Sequence, residues 1–163
     1  MNSIESLKLD FNSQIKQLYN IHNKKPFDVC IYLGSGDSYV AGLMVEYLPS
    51  HNWCYSPSDL LNSRFKDNKT YCFISVMGKT KANIEIARRV NQAGFKTVAI
   101  TFNKNSKLAE VCREVVPLEI TKIVTPNAGL SSFVANVVTC LQIVGITVPK
   151  KYDIWQRKMY NYQ

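Results

Sequence analysis

The sequence is poor in the residues that build metal centres and disulfide frameworks. It has 2 histidines and 5 cysteines in 163 residues, and the cysteines form no C-x-x-C pair. The histidines, His22 and His51, lie far apart in the chain, which argues against a histidine-based metal site. Most cysteines fall in apolar runs, a pattern typical of reduced core thiols in a cytosolic protein. We therefore expect no metal and a cytoplasmic location.

Long apolar stretches and acidic residues are also scarce. The longest apolar stretch, residues 133–148, contains Asn136, Gln142 and Gly145, so it is too short and too polar to span a bilayer. The amino terminus alternates charged and apolar residues too early for a signal peptide. The 12 acidic residues are outnumbered by 20 Lys and Arg, which gives a net charge of +8. This excess implies an anionic partner: nucleic acid, an acidic surface or a phosphorylated small molecule.

The chain does have a regular alternation of short apolar runs with amphipathic segments. Strands are predicted over residues 27–33, 53–55, 70–76, 95–102 and 114–118. Helices are predicted over residues 38–48, 56–61, 80–93, 106–112 and 129–146. This order predicts an α/β fold, a three-layer αβα sandwich of flavodoxin-like type around a five-stranded parallel sheet. We expect one domain with an N-terminal helix, a core and a tail, over 1–25, 26–147 and 148–163.

Small residues follow two of the predicted strands. Gly34-Ser35-Gly36 follows the first strand, and residues 75–80, Ser-Val-Met-Gly-Lys-Thr, follow the third. Each turn leads directly into a helix, and we expect Asp37 or Ser38 to cap the first one. Glycines allow a tight turn, so the first N–H groups of each helix would point at an anion beyond the strand ends. The two turns therefore predict one shared phosphate site; the alternative is a pair of ordinary strand–helix turns.

Two better-known glycine motifs do not fit these turns. A dinucleotide fingerprint needs a third glycine at position 39, where the chain has Tyr39, and an acidic residue near position 56, which is Ser56. A P-loop needs a glycine five residues before Gly78, where the chain has Phe73. Neither a dinucleotide-binding domain nor a nucleoside triphosphatase is predicted.

Together the turns resemble the motifs of the SIS (sugar isomerase) domain family of phosphosugar-binding proteins, over about residues 25–147. Residues 34–42 are similar to the family's first motif, 75–80 to its Ser-x-Ser-Gly-x-Thr motif, and 105–109 to its Ser-x-Leu-Ala turn. The resemblance implies a hexose or aminohexose phosphate as ligand, no cofactor, and a homodimer or homotetramer. The implied activity is sugar-phosphate aldose–ketose isomerisation, and the alternative is a non-catalytic phosphosugar sensor or partner module.

The resemblance also implies which residues hold the phosphate. These are the hydroxyls of Ser38, Ser75 and Thr80, together with the backbone N–H groups at Gly36 and Gly78. The chemistry of these groups agrees with that role, because hydroxyls and helix N-termini are neutral donors that satisfy a dianion without a metal.

Three neighbouring residues modify this expectation. Lys79 would add a cation at the rim of the site, although it could simply be exposed. Asp37 stands where the family usually has an uncharged residue, and its carboxylate would repel phosphate. We expect Asp37 to cap the helix or to bind a sugar hydroxyl. Met77 replaces a serine of the second motif and so removes one phosphate donor.

Catalysis of isomerisation would need a carboxylate base and a group that opens the sugar ring. Residues 126–133, where similar isomerases usually place the glutamate, contain no carboxylate. Glu46 is the best substitute, and its place one helix away from the turns suggests service to a partner subunit's site. His51 could open the ring. A salt bridge for Glu46 and a surface position for His51 are the alternatives. Ser131 and Ser132 would either bind sugar hydroxyls or cap the last helix.

The basic and aromatic tail over residues 150–160 allows three roles. It could close over the site with Lys150 or Lys151, pack Trp155 on a partner subunit, or bind nucleic acid. Regulators with SIS domains carry a helix-turn-helix domain ahead of the first strand, and only about 25 residues precede that strand here. Nucleic acid is therefore not the expected partner, and no membrane partner is expected.

Overall fold

The computed structural model describes residues 26–27, 29–49, 51–61, 63–66, 69–119 and 130–146, together with Glu5 and Leu9. Its strands are β1 (Cys30–Leu33), β2 (Trp53–Tyr55), β3 (Thr70–Ile74), β4 (Lys96–Thr101) and β5 (Glu114–Pro117). Its helices are α1 (Asp37–Glu46), α2 (Lys81–Gln92), α3 (Lys107–Val111) and α4 (Leu130–Ile143), and a 3-10 turn spans Pro57–Leu60. Each element overlaps a predicted one, which confirms the α/β fold.

The five strands form one parallel sheet in the order β2-β1-β3-β4-β5. The uncharged strand β3 is central, as its composition predicts. After β1 the chain moves outward to β2, and it then returns to the other side of β1 to form β3. The order therefore reverses between β1 and β3, where Leu33 lies opposite Phe73. In open α/β sheets such a reversal leaves a crevice at the carboxyl ends of the strands, where ligands bind.

Helices cover both faces of the sheet. Alternate side chains of the strands face opposite sides: Tyr32 joins one buried cluster with Val45 of α1 and Ala135 of α4, and Leu33 joins another with Ile86 of α2. The burial of both faces explains why the strands read as continuous apolar runs. The layers are helices, sheet and helices, so the predicted three-layer sandwich is confirmed.

The cysteines lie in this core as free thiols. Cys30, Cys54, Cys72 and Cys140 are buried, and Cys112 is half-buried. Burial raises the pKa of Cys54 to about 12, and the nearby charges of Glu46 and Asp59 add to that effect. Burial likewise raises the pKa of Cys112 to about 12. Thiols that stay protonated are poor nucleophiles and poor metal ligands, so these cysteines act as small core residues.

Two predicted segments lie outside the described residues: the N-terminal helix, apart from Glu5 and Leu9, which are helical, and the basic aromatic tail. Within the ranges that the structure describes, no helix is both long enough and apolar enough to cross a bilayer.

Candidate functional site

The first small-residue turn connects β1 to α1 and folds back tightly on the helix. A Cβ at Gly34 would lie 2.6 Å from the Ser38 carbonyl carbon, so only glycine allows this approach. Gly36 is the residue before α1 and has φ 58° and ψ −131°, a conformation that L side chains rarely adopt. None of the described side chains caps α1. The prediction that Asp37 or Ser38 caps α1 is therefore wrong: Asp37 is the first helical residue and is exposed.

The second turn connects β3 to α2 and carries a pair of hydroxyls. Ser75 is buried at the end of β3, and its Oγ lies 3.1 Å from the Thr80 Oγ1. Thr80 is the residue before α2, yet its side chain does not cap that helix. Because a hydroxyl can both donate and accept, the pair can turn its hydrogens toward an anion above the strand ends.

Gly78 lies inside the second turn and is held by contacts on both sides. Its φ is 62°, and a Cβ there would overlap the Ser106 side chain at the start of α3. Its carbonyl accepts a 3.3 Å hydrogen bond from the Leu108 N–H, and its own N–H donates to the Ser75 carbonyl at 3.0 Å. That N–H, which the resemblance assigns to the phosphate, is thus engaged within the turn.

The helices that begin at these turns differ from α3 in their capping. The Ser106 Oγ accepts a hydrogen bond from the Ala109 N–H at 3.3 Å and so caps α3. The first N–H groups of α1 and α2 have no side-chain cap within the described part of the chain, although such donors need an acceptor. The exposed Lys79 adds positive charge beside α2. Among the residues placed by the structure, no group of His, Cys, Asp and Glu could hold a metal ion. The arrangement suits an anion held by hydroxyls and N–H groups.

Helix α4 reaches the first turn from the side. Asn136 is fully buried on α4, and its Nδ2 donates to the Ser38 Oγ at 3.4 Å. The Oδ1 of Asn136 has no hydrogen-bond partner among the described residues. Ser132 lies one turn earlier on the same face of α4 and is half-buried. Of Ser131 the structure describes only the helical backbone, and its side chain lies outside the described part.

The two predicted catalytic residues lie at the other edge of the sheet. Helix α1 starts at the carboxyl edge and runs back, so Glu46 at its end is about 12 Å from its first turn at 1.5 Å per residue. His51 is exposed and directly precedes β2, at the amino edge. The structure therefore brings Gly36, Ser38 and the residues of the second turn together, and it does not bring Glu46 or His51 to them within one chain.

A cleft of about 280 Å³ lies beside the first turn. It is lined by Gly34, Ser35, Gly36, Tyr39, Ser56, Pro57, Ser58 and Ala82. The sequence analysis assigned no function to Ser56 or Ser58. The available signal was their position after β2, because every loop that follows a strand of a parallel sheet lies at the carboxyl edge.

Sequence comparison identifies no relative, because no protein-family model matches the chain and no curated protein matches it. Solved structures do share its fold. A proposed sugar-phosphate isomerase from Listeria monocytogenes has a TM-score of 0.68 at 13% identity, over 100% of this chain and 94% of that chain. An Escherichia coli CFT073 protein in complex with arabinose 5-phosphate has 0.67 at 12%, over 96% and 100%. NanR of Vibrio vulnificus with ManNAc-6P has 0.62 at 17%, over 97% and 61%. The predicted SIS-type fold is thus confirmed.

Proposed function

We propose that this protein binds a phosphorylated sugar at the carboxyl ends of β1 and β3. The observation that carries the proposal is the pair of helices α1 and α2, which begin at the reversal of strand order without caps from the described side chains. Leaving a helix N-terminus uncapped costs about 0.5–2 kcal/mol. An anion at this edge would supply the acceptors that both helices lack.

The phosphate would be held by groups from both turns. The N–H groups at the start of α1 and the hydroxyls of Ser38, Ser75 and Thr80 are the donors, with the ammonium group of Lys79 at the rim. Asp37 is exposed in the first turn of α1, where its carboxylate would repel a phosphate. We assign Asp37 to a sugar hydroxyl, since it does not cap the helix.

The comparisons support a sugar as the remainder of the ligand. Two neighbours of the same fold were solved with arabinose 5-phosphate and ManNAc-6P, which are phosphorylated sugars. A cytoplasmic location accords with such a ligand and with the buried free thiols, which reducing compartments preserve.

Calorimetric titration tests the proposal with inorganic phosphate, fructose 6-phosphate and unphosphorylated fructose. We expect the two phosphates to bind and fructose not to bind. Ser75→Ala and Thr80→Val should each weaken phosphate binding about tenfold or more, because a hydrogen bond to a charged group contributes roughly 1.5–3 kcal/mol. Thr139→Val is the matched control, since Thr139 is buried on α4 and its hydroxyl has no partner among the described residues. Failure of every phosphate to bind would refute the proposal.

A second candidate function is isomerisation of the bound sugar by a homodimer. Val40, Met44 and Tyr47 of the α1 segment are 46%, 46% and 86% exposed and form one apolar stripe. We propose that this stripe pairs with the same stripe of a second copy. A two-fold axis across the helix makes the two α1 helices antiparallel, which would place Glu46 of one subunit beside the first turn of the other.

Deuterium exchange tests this catalytic role. A base that moves a proton between C1 and C2 of fructose 6-phosphate exchanges it with solvent. In deuterated water we expect label at C1 or C2 with the wild-type protein and at least a hundredfold less with Glu46→Gln. Absence of label with a sugar phosphate that binds would leave binding as the function.

A further inference from the structure

The cleft of about 280 Å³ lies between three elements: the turn after β1, the loop after β2 and the first turn of α2. It shares Gly34 and Gly36 with the turn to which we assign the phosphate. Its volume falls at the lower end of small-molecule sites, which span roughly 300–1,000 Å³. A ligand with phosphate at the turns and a body of monosaccharide size would fill it, whereas a dinucleotide would not fit.

The described residues that line the cleft carry no charged side chain. Ser56 and Ser58 contribute hydroxyls whose oxygens lie 2.5 Å apart. The neighbouring carboxylate of Asp59 is engaged, because it accepts a hydrogen bond from the Ser56 N–H at 2.9 Å. A charged group that entered the cleft would lose water without gaining a counter-ion, which is costly.

The two serine hydroxyls form a pair that suits adjacent hydroxyls of a sugar. Each can donate to one ligand oxygen and accept from another, and their close spacing is similar to that of neighbouring sugar hydroxyls. Pro57 and Ala82 line the same cleft and offer apolar atoms to the C–H groups of a sugar. Hydroxyl pairs beside apolar atoms match a polyol and do not match an ionised substituent.

We propose that this cleft binds the uncharged, polyhydroxylated part of the ligand, with Ser56 and Ser58 hydrogen-bonded to two adjacent hydroxyls. The inference rests on the proposed phosphosugar binding and adds a specificity to it. Sugar phosphates with neutral substituents are bound in preference to those that carry a free amine or a carboxylate away from the phosphate.

Calorimetric titration with fructose 6-phosphate and inorganic phosphate tests the role of the serines. Ser58→Ala should weaken fructose 6-phosphate about three- to tenfold, the value of one neutral hydrogen bond, and should leave inorganic phosphate unchanged. Ser63→Ala is the matched control, because Ser63 is an exposed serine of the same loop whose Oγ donates to the Asp59 carbonyl outside the cleft. Equal affinities of wild type and Ser58→Ala for fructose 6-phosphate would overturn the inference.

A second variant fills the cleft. Ala82 is exposed in the first turn of α2, and leucine is a good helix former there. Ala82→Leu should remove the advantage of fructose 6-phosphate over inorganic phosphate while phosphate still binds. Glucosamine 6-phosphate and 6-phosphogluconate should bind the wild type no more tightly than inorganic phosphate. Tight binding of either charged sugar would overturn the specificity alone. Failure of inorganic phosphate and of all sugar phosphates would overturn the proposed function as well, so the two failures are distinguishable.

Discussion

Replacing Gly78 by alanine would change the second turn in two separable ways. The residue would have to keep a φ of 62°, in the left-handed region. Its new Cβ would also overlap the Oγ and Cβ atoms of Ser106 at the start of α3. The overlapped Cβ is bonded to the backbone, so a side-chain rotation of Ser106 cannot relieve the contact and the two segments must separate.

The free-energy cost follows from these two effects. An L residue in the left-handed region costs about 1–2 kcal/mol. Displacing Ser106 breaks its cap on α3, in which the Oγ accepts from the Ala109 N–H at 3.3 Å, and loss of such a cap costs about 0.5–2 kcal/mol. The expected loss of folding free energy for Gly78→Ala is therefore about 1.5–4 kcal/mol.

Urea denaturation of matched variants measures the two effects. Gly94 has a φ of 90°, and a Cβ there would have nothing within 4 Å. Gly94→Ala should therefore cost only the backbone strain, about 1–2 kcal/mol. Introducing Gly78→Ala into a Ser106→Gly background should remove most of the excess, because the overlapping Cβ and Oγ are then absent. Equal losses for Gly78→Ala and Gly94→Ala would refute the contact between the turn and α3.

Two further predictions concern the thiols and the exposed stripe of α1. Burial raises the pKa of Cys54 and Cys112 from 9.0 to about 12. Above pH 9 the unfolded chain loses these protons and the folded one keeps them, so urea titrations should show stability falling between pH 9 and 12; constant stability across that range would contradict the burial. Met44→Ser with Tyr47→Ser should shift the protein toward monomer in size-exclusion chromatography with light scattering, whereas Leu61→Ser, a control that is 41% exposed elsewhere, should not. A wild type that is monomeric at every concentration would remove the proposed pairing.

The sequence predicts the order and kind of the elements because each is encoded locally. In α2 the apolar residues Ile86 and Val90 recur at helical spacing and are fully buried. In β3 an uncharged run between polar ends predicts a covered central strand, which Phe73 and its neighbours form. Such patterns depend on a few adjacent residues and on the need to bury one face, so tertiary contacts reinforce them without changing them.

The start of α1 could not be predicted in the same way. Asp37 has a strong intrinsic preference for the cap position, and propensity alone places it there. The close approach of Gly34 to the Ser38 backbone sets the path of the turn, and Gly36 takes the cap position with φ 58°. A contact that needs the absence of a side chain leaves little trace in propensity, apart from the glycine itself.

Residues that meet across long separations were also beyond local patterns. Asn136 and Ser38 are 98 positions apart, and only the packing of α4 on α1 brings them together. Ser56 and Ser58 lie in the loop after β2 and meet the turn after β1 because β1 and β2 are paired. Pairing of neighbouring strands could have been inferred from the predicted alternation, whereas the seating of α4 could not.

The capping pattern connects the fold to the proposed function. Ser106 caps α3, which starts one strand away from the reversal of strand order, so the chain does use side-chain caps. At α1 and α2 the residues in the cap position are Gly36, which has no side chain, and Thr80, whose hydroxyl faces Ser75 instead. A fold that forgoes two caps at adjacent strand ends loses stability there, and departures from local rules concentrate at functional sites. An anion bound between the two helices would accept the free N–H groups of both and restore that stability, so ligand binding and folding are coupled at this edge of the sheet.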